Sequence, residues 1–186
     1  MSQSERIHDS AVLAEDLEHQ QLRILALINA VGMVRGNASR LDGLTKLAKL
    51  DFIARYPELE TQIAQALLGS ESVEPSIPEF STLTAAPMIR YRYGPWDDRY
   101  YPVLGALVGR GLVRYAKGKR GAIGFSVTPL GKRIVELLEA NDAWAPVVVR
   151  YRHIADRFGT QNGNRLKDAI YRALPELAST PLGTEL

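Results

Sequence analysis

The residue types that most often carry out catalysis are sparse in this chain. The three histidines, His8, His19 and His153, lie far apart, without the HxxxH or HxxE spacing that places two metal ligands on one helical face. Asp97 and Asp98 are adjacent, so on a helix their carboxylates point apart, and capping of a helix start explains both. We therefore expect no metal site and no pair of carboxylates for acid–base chemistry.

Nucleophilic and nucleotide-dependent chemistry also lack their usual residues. The absence of cysteine excludes disulfides, thiol nucleophiles and thiolate metal sites. The fingerprints GxxxxGK[ST] and GxGxxG do not occur. Gly118-Lys119-Arg120-Gly121 resembles a phosphate loop, but no Ser or Thr follows the lysine and no long strand precedes it. The sequence predicts a protein that is not an enzyme and has no cofactor.

Cations are concentrated in one part of the chain, although the formal net charge of all 186 residues is only +2. Residues 85–135 contain ten Lys or Arg and two Asp, whereas residues 1–84 contain seven basic and twelve acidic residues. Such an excess favours a phosphate polyanion or an acidic protein as partner. The alternative is a solvated face that the acidic flanks neutralise in the folded chain.

The first half of the chain has apolar residues at helical spacing. This spacing predicts three helices, at about residues 9–31, 39–56 and 57–69. Ser39 is expected to cap the second helix, and Pro57 to begin the third. The Pro- and Ser-containing residues 70–86 predict a loop, and residues 181–186 a frayed tail.

The second half mixes short strands with helices. Met88–Tyr93 alternates like a strand, and a helix capped by Asp97 or Asp98 is expected to run to about Gly109. Two β-prone runs, residues 112–115 and 123–127, enclose a basic turn bounded by glycines, which predicts a hairpin. Further helices are expected after a Thr128 cap and at about residues 145–158 and 164–174, with an Asn of the Asn162-Gly163-Asn164 loop capping the last of them.

Helix, short strand, helix, hairpin and helix, with a basic hairpin tip, is the order of elements in a winged helix-turn-helix. We therefore predict a single domain of mainly α class with a small antiparallel β-hairpin. Its parts are N-terminal helices at 9–69, a loop at 70–86, a winged-helix core at 87–140 and C-terminal helices at 143–175.

This fold predicts a DNA-binding surface, because the helix before the hairpin enters the major groove and the wing reaches phosphates. The residues expected to bind DNA are Arg99, Arg110, Arg114, Lys117, Lys119 and Arg120. The predicted groove helix has Gly105-Ala106 at its middle and no Asn, Gln or Ser to pair with base edges. Either binding is largely independent of sequence, or this helix packs against protein.

A second set of residues is expected on a face for DNA or for a protein partner: Arg40, Lys46, Lys49, Arg90, Arg92 and Trp96. Lys46 and Lys49 are three residues apart and so share a helical face, for which a solvated surface is the alternative. Arginine interleaved with Tyr and Trp is typical of binding hot spots, although the same rings could anchor a strand to the core.

Residues 40–52, RLDGLTKLAKLDF, and 91–96, YRYGPW, together resemble the winged-helix middle components of three-component ABC-ATPase (Lamassu-like) antiphage defence systems. In these systems an ATPase related to structural-maintenance-of-chromosomes proteins senses DNA, and another subunit carries the effector. The resemblance implies a non-enzymatic subunit with double-stranded DNA, that ATPase and the effector subunit as partners. A weaker resemblance is to the Panacea antitoxin domain, which has a "TKL…KLLYF" helix. That helix contains a Tyr after its second Lys-Leu, whereas in this chain Asp51-Phe52 follow Lys49-Leu50.

Two other functions remain open from the sequence. One is a homodimeric transcriptional regulator, in which the last two helices pair the subunits and residues 97–110 read an operator. The other is an antitoxin. The chain has no apolar run of the roughly 18 residues that a membrane span needs, and its start is polar and acidic. We expect a cytoplasmic protein that does not associate with membranes.

Overall fold

The computed structural model of the chain describes residues 3–34, 37, 39–69, 87–118 and 121–186, with side chains from residue 17 onward. In these ranges the protein is mainly helical with small antiparallel sheets, which confirms the predicted class. The helices are α1 (Gln3–Met33), α2 (Leu44–Arg55), α3 (Glu60–Leu68), α4 (Tyr100–Gly109), α5 (Pro129–Glu139), α6 (Ala145–Phe158) and α7 (Gly163–Ala173). The strands are β1 (Leu41–Asp42), β2 (Ile89–Tyr91), β3 (Gly94–Trp96), β4 (Val113–Lys117) and β5 (Ile123–Val127). The predicted loop at 70–86 lies outside the described residues.

Helix α1 is the central element of the fold. From Gln20 to Ile28 every residue except Leu22 is buried, so this part of the helix is enclosed on all sides. It packs against α2, α4, α5, α6 and strand β5. None of the described helices combines the length and apolar character that crossing a membrane requires.

Strands β1, β5 and β4 form a three-stranded antiparallel sheet in that order. Leu41 pairs with Phe125 and is fully buried, so residues 41–42 form a strand where the sequence predicts helix. The prediction that Ser39 caps the second helix is therefore wrong. That helix begins at Leu44, directly after Gly43, whose φ of 90° suits the sharp change of direction from strand to helix.

Strands β2 and β3 form a separate hairpin, and the C-terminal residues pair with it. The Leu186 amide donates to the Met88 carbonyl at 2.8 Å, and the Arg90 amide donates to the Thr184 carbonyl at 2.7 Å. The Tyr56 hydroxyl also donates to the Leu186 carbonyl oxygen, at 2.9 Å. The predicted fraying of residues 181–186 is therefore wrong, because these backbone groups complete the edge of the β2–β3 hairpin.

Two predicted helix caps are present. The Thr128 hydroxyl accepts a hydrogen bond from the Gly131 amide at 3.1 Å at the start of α5. The Asn162 side chain accepts one from the Arg165 amide at 2.9 Å at the start of α7. Gly131 has a further role, because a Cβ there would lie 2.2 Å from the Leu112 carbonyl oxygen. Only glycine lets α5 pack this closely against the chain entering β4.

A buried ionic cluster joins α3 to α6. The fully buried Glu60 carboxylate binds Arg150, Arg157 and His153, the last two at 2.7 Å. Arg150 also donates to the carbonyls of Ile53 and Ala54, at 2.8 and 3.1 Å, and so satisfies two acceptors in the last turn of α2.

The cluster stabilises the ionised form of Glu60. Burial alone would raise the pKa of this carboxyl, but hydrogen bonds from His153 and Arg150, together with the charge of Arg150, lower it to about 2. A folded-state pKa below the ordinary value of 4.5 means that Glu60 stabilises the protein above pH 4.5. This stability is lost as the pH falls from 4.5 towards 2.

We expect Glu60→Gln to remove about 3 kcal/mol of this pH-dependent stability, since each pKa unit corresponds to about 1.4 kcal/mol. Urea unfolding at a series of pH values between 7 and 2.5 measures the effect. The variant should be less stable at pH 7 and should lose less stability on acidification. Glu58→Gln, at an exposed position beside α3, is the matched control and should follow the unmodified protein. An identical pH dependence in Glu60→Gln would contradict this account.

Candidate nucleic-acid interface

The structure contains the β4–β5 hairpin that the sequence predicts, and β4 is an edge strand of its sheet. Arg114 lies opposite Ser126 and Lys117 opposite Ile123, so the two cations project from opposite faces of the hairpin. Both are exposed, and neither forms an ion pair with a carboxylate in the described part of the chain. Lys119 and Arg120, also predicted to bind DNA, lie outside the described residues.

A groove of about 420 Å³ lies beside the hairpin, between the end of α1 and the start of α5. Arg114 and Lys132 both line it, together with the polar residues Asn29, Ser39 and Ser126. Cationic, amide and hydroxyl side chains of this kind contact phosphates in nucleic-acid complexes. Lys132 belongs to the basic stretch at residues 85–135 but is not among the residues that the sequence predicts to bind DNA. Its position in the first turn of the helix that follows the hairpin is the signal that would have identified it.

The predicted cations of α4 are held by acceptors of the protein itself. Arg99 binds both carboxylate oxygens of Asp97 at 2.9 Å. Arg110 donates to the Gln21 side-chain oxygen at 2.7 Å and lies 3.7 Å from Glu18. These contacts occupy the guanidinium groups of Arg99 and Arg110, although the Arg110 side chain remains 55% exposed. The exposed face of α4 between them is small and apolar, formed by Tyr101, Pro102, Gly105 and Gly109.

Buried Asp51 of α2 fixes the position of α4. It accepts hydrogen bonds from the hydroxyls of Tyr100 at 2.7 Å and Tyr151 at 2.6 Å. Burial and the negative charge of Asp51 raise the pKa of both phenols, so they remain protonated donors. Arg55 bridges Asp51 and Asp97 at 3.4 and 3.0 Å and thereby joins α2 to the start of α4.

The carboxylate of Asp97 belongs to the same network. Its burial raises the pKa, but hydrogen bonds from Arg99 and the charges of Arg99 and Arg55 outweigh this effect and lower it. Arg23 of α1 lies 3.9 Å from Asp51, and its guanidinium nitrogens have no hydrogen-bond partner among the described residues. The ion pair with Asp51 therefore compensates this buried charge without the hydrogen bonds to described residues that usually accompany a buried arginine.

Three residues of the expected DNA or partner face are instead in the interior. Lys46 donates to the Gly159 carbonyl at 2.5 Å, and Lys49 donates to the Pro95 carbonyl at 2.8 Å. Arg90 donates to the Leu177 carbonyl at 2.6 Å. All three side chains are more than 90% buried. The prediction that they form an exposed basic face is therefore wrong. Helical spacing alone does not distinguish a buried face from a solvated one, and this is why the expectation for Lys46 and Lys49 failed.

The remaining members of that set lie nearer the surface. Arg40 is partly exposed and is paired with Asp42 at 2.7 Å. Arg92 is exposed and lies 5.9 Å from the Tyr93 ring. Trp96 is half-buried and lines a cleft of about 370 Å³ with Lys49 and several tyrosines.

No cluster of three His, Cys, Asp or Glu side chains in the described part of the chain could hold a metal ion. Neither a protein-family model, nor a curated protein, nor a solved structure matches this chain.

We expect Tyr100→Phe to destabilise the protein by about 1.5–3 kcal/mol, because it removes a hydrogen bond to the buried Asp51 carboxylate. Hydrogen exchange should also become faster at the amides of α4, where this contact acts. Denaturant unfolding and exchange mass spectrometry measure the two effects. Tyr93→Phe, which removes an exposed hydroxyl, is the control and should change neither. Unchanged exchange in α4 of Tyr100→Phe would show that Asp51 does not hold this helix.

Proposed function

We propose that this protein is a non-enzymatic winged-helix subunit that binds the backbone of double-stranded DNA through its β4–β5 hairpin. The observation that carries the proposal is the contrast between two sets of cations. Arg114 and Lys117 are exposed on the hairpin without a described carboxylate partner, whereas Arg99 and Arg110 are bound by acceptors of the protein. Exposed unpaired cations on a projecting edge strand suit contact with phosphates.

The connectivity supports the winged-helix assignment. The order α1, β1, α2, α4, β4 and β5, with the sheet order β1-β5-β4, is that of a winged helix. Helix α3 and the β2–β3 hairpin are then insertions between the second and third helices of the winged helix, which are α2 and α4. On this assignment the winged-helix core begins well before residue 87, because β1 at residues 41–42 completes the sheet of the wing.

The α4 surface favours binding that does not depend on base sequence. Base edges are read by side chains that donate or accept hydrogen bonds, and the exposed face between Tyr101 and Gly109 has only the Tyr101 hydroxyl to offer. Phosphate contacts need no such readout. At Gly105 and Gly109 a Cβ would meet nothing within 4 Å, so the helix backbone is open to close approach by a protein surface.

We also propose that the protein docks onto an ATPase complex of an antiphage defence system, which its resemblance to Lamassu-like middle components suggests. The two segments that carry the resemblance, residues 40–52 and 91–96, are in contact. Lys49 of the first segment donates to Pro95 of the second, and both segments line the same cleft. Such a contact is expected if both segments belong to one functional unit.

A dimeric transcriptional regulator is the second candidate. Leu137 of α5 and Val149 of α6 are exposed to 66% and 49%, and a contact between subunits would cover these apolar side chains. A regulator should be a dimer in solution and should prefer one palindromic site by about thousandfold or more over random DNA. Sedimentation analysis and competition with random duplexes distinguish the two functions.

We expect the double variant Arg114→Ala/Lys117→Ala to weaken binding to several unrelated DNA duplexes by a similar factor of about tenfold or more. The reason is that a hydrogen bond to a charged group contributes about 1.5 kcal/mol or more. Fluorescence anisotropy at fixed salt measures this loss. Adding Lys119→Ala and Arg120→Ala should weaken binding further.

The matched control is Arg152→Ala/Arg172→Ala, which removes the same charge from exposed positions on α6 and α7. It should retain most of the affinity. Equal losses in the two double variants would show a general effect of net charge, and an unchanged affinity of the hairpin variant would reject the hairpin as the DNA-binding element.

A further inference from the structure

The cleft between α2, the β2–β3 hairpin and the start of α4 has the features of a ligand site. Its volume of about 370 Å³ lies within the range of small-molecule sites, roughly 300–1,000 Å³. Four aromatic residues contribute to its lining: Tyr91, Tyr93, Trp96 and Tyr101. A cleft of this size with aromatic walls suits a flat ring.

The aromatic rings are arranged around Trp96. The Tyr91 and Tyr101 rings lie 5.7 and 6.0 Å from the Trp96 ring. Tyr91, Tyr93 and Tyr101 are exposed to between 46% and 67%, and their hydroxyls form no hydrogen bond with the described residues. These three tyrosines therefore contribute little to the core, and about half or more of the surface of each remains exposed to a ligand.

Lys49 adds hydrogen-bond donors to the cleft. It is 99% buried, lines the cleft, and forms one described hydrogen bond, to the Pro95 carbonyl at 2.8 Å. An amine that forms a single hydrogen bond still has N–H groups for a ligand acceptor. Burial, and then the charges of Arg90 and Lys167, lower the pKa of Lys49 to about 7. A ligand acceptor would meet an otherwise unsatisfied donor there.

The charges around the cleft disfavour a cationic ligand of the kind that aromatic cages bind. Arg90 and Lys167 place positive charge near Lys49, although Lys167 is itself paired with Asp168 at 3.2 Å, and Arg92 is exposed next to Tyr93. Asp98 is the carboxylate among the lining residues. The cleft therefore combines stacking surfaces, a buried donor, an acceptor and an excess of positive charge.

We propose that this cleft binds a nucleoside 5′-phosphate, either as a free nucleotide or at the 5′ end of a single strand. The base stacks among Trp96, Tyr93 and Tyr101, Lys49 donates to an acceptor on the base edge, and Arg92 contacts the phosphate. Guanine is the preferred base, because it presents the O6 acceptor and the N2 donor that match Lys49 and Asp98. This site is separate from the β4–β5 hairpin, and it does not depend on duplex binding by that hairpin.

Calorimetric titration of the full chain with dGMP tests the proposal. The expected dissociation constant is roughly 10–100 µM, from the affinity per atom that ligands of this size reach. The affinity for dAMP and dCMP should be lower. No binding of any of the three nucleotides at millimolar concentration, or binding of ribose 5-phosphate equal to that of dGMP, would overturn base recognition.

Substitution of one exposed aromatic residue of the cleft tests whether the nucleotide binds there. Tyr101→Ala should weaken dGMP binding by about fivefold to hundredfold, the range found when a stacking ring is removed. Tyr115→Ala, at a tyrosine of similar exposure on the β4–β5 hairpin, is the matched control and should bind like the unmodified protein. Tyr93→Ala provides a second variant of the cleft. Equal affinities of the cleft and control variants would place the nucleotide elsewhere.

Comparison of dGMP with a single-stranded DNA oligonucleotide shows whether the ligand is a free nucleotide or part of a nucleic-acid strand. A 5′-phosphorylated single-stranded pentamer d(TTGTT) that binds at least tenfold more tightly than dGMP would identify a nucleic-acid strand as the ligand. Equal or weaker binding of the pentamer would identify a free nucleotide. Both results are consistent with the site, provided that Tyr101→Ala weakens the binding.

Discussion

Three buried carboxylates determine where the positive charge of this protein is available. Asp51 and Asp97 share Arg55, and Asp97 also holds Arg99. Glu60 binds Arg150, Arg157 and His153 of α6 and ties that helix to α3. Because breaking a buried ion pair leaves an uncompensated charge, these contacts fix the relative positions of the helices strongly. They also neutralise much of the positive charge of the helical body.

The β4–β5 hairpin lies outside these ionic clusters. The protein surface therefore has two distinct parts, a cationic hairpin and an aromatic cleft. Arg114 and Lys117 project from a thin sheet edge, where no described carboxylate pairs with them. The start of α4 instead presents Tyr101 beside an aromatic cleft whose inner end contains Lys49. One surface has exposed charge, which suits phosphates, and the other has exposed aromatic rings and a buried donor, which suit a base. The Asp51 network supports the second surface directly, because it anchors Tyr100, the residue before Tyr101.

Local signals predicted those elements whose formation depends on neighbouring residues. The bounds 145–158 of α6, the Thr128 and Asn162 caps and the basic hairpin follow from turn residues and apolar spacing. The errors lie where distant segments decide the structure. Residues 41–42 form a strand because β5 pairs with them, and residues 183–186 are ordered by their contacts with residues 88–90. The burial of Lys46 and Lys49 depends in the same way on carbonyl groups far along the chain, which spacing within one helix does not reveal.

The salt dependence of duplex binding by the unmodified protein tests the central claim most directly, namely that unpaired hairpin cations contact phosphates. Each phosphate contact contributes about −0.9 to the slope of log K against log salt concentration. Four contacts, from Arg114, Lys117, Lys119 and Arg120, predict a slope of about −3 to −4 that is the same for unrelated duplexes. A slope shallower than about −1, or a slope that differs strongly between duplexes, would contradict the account.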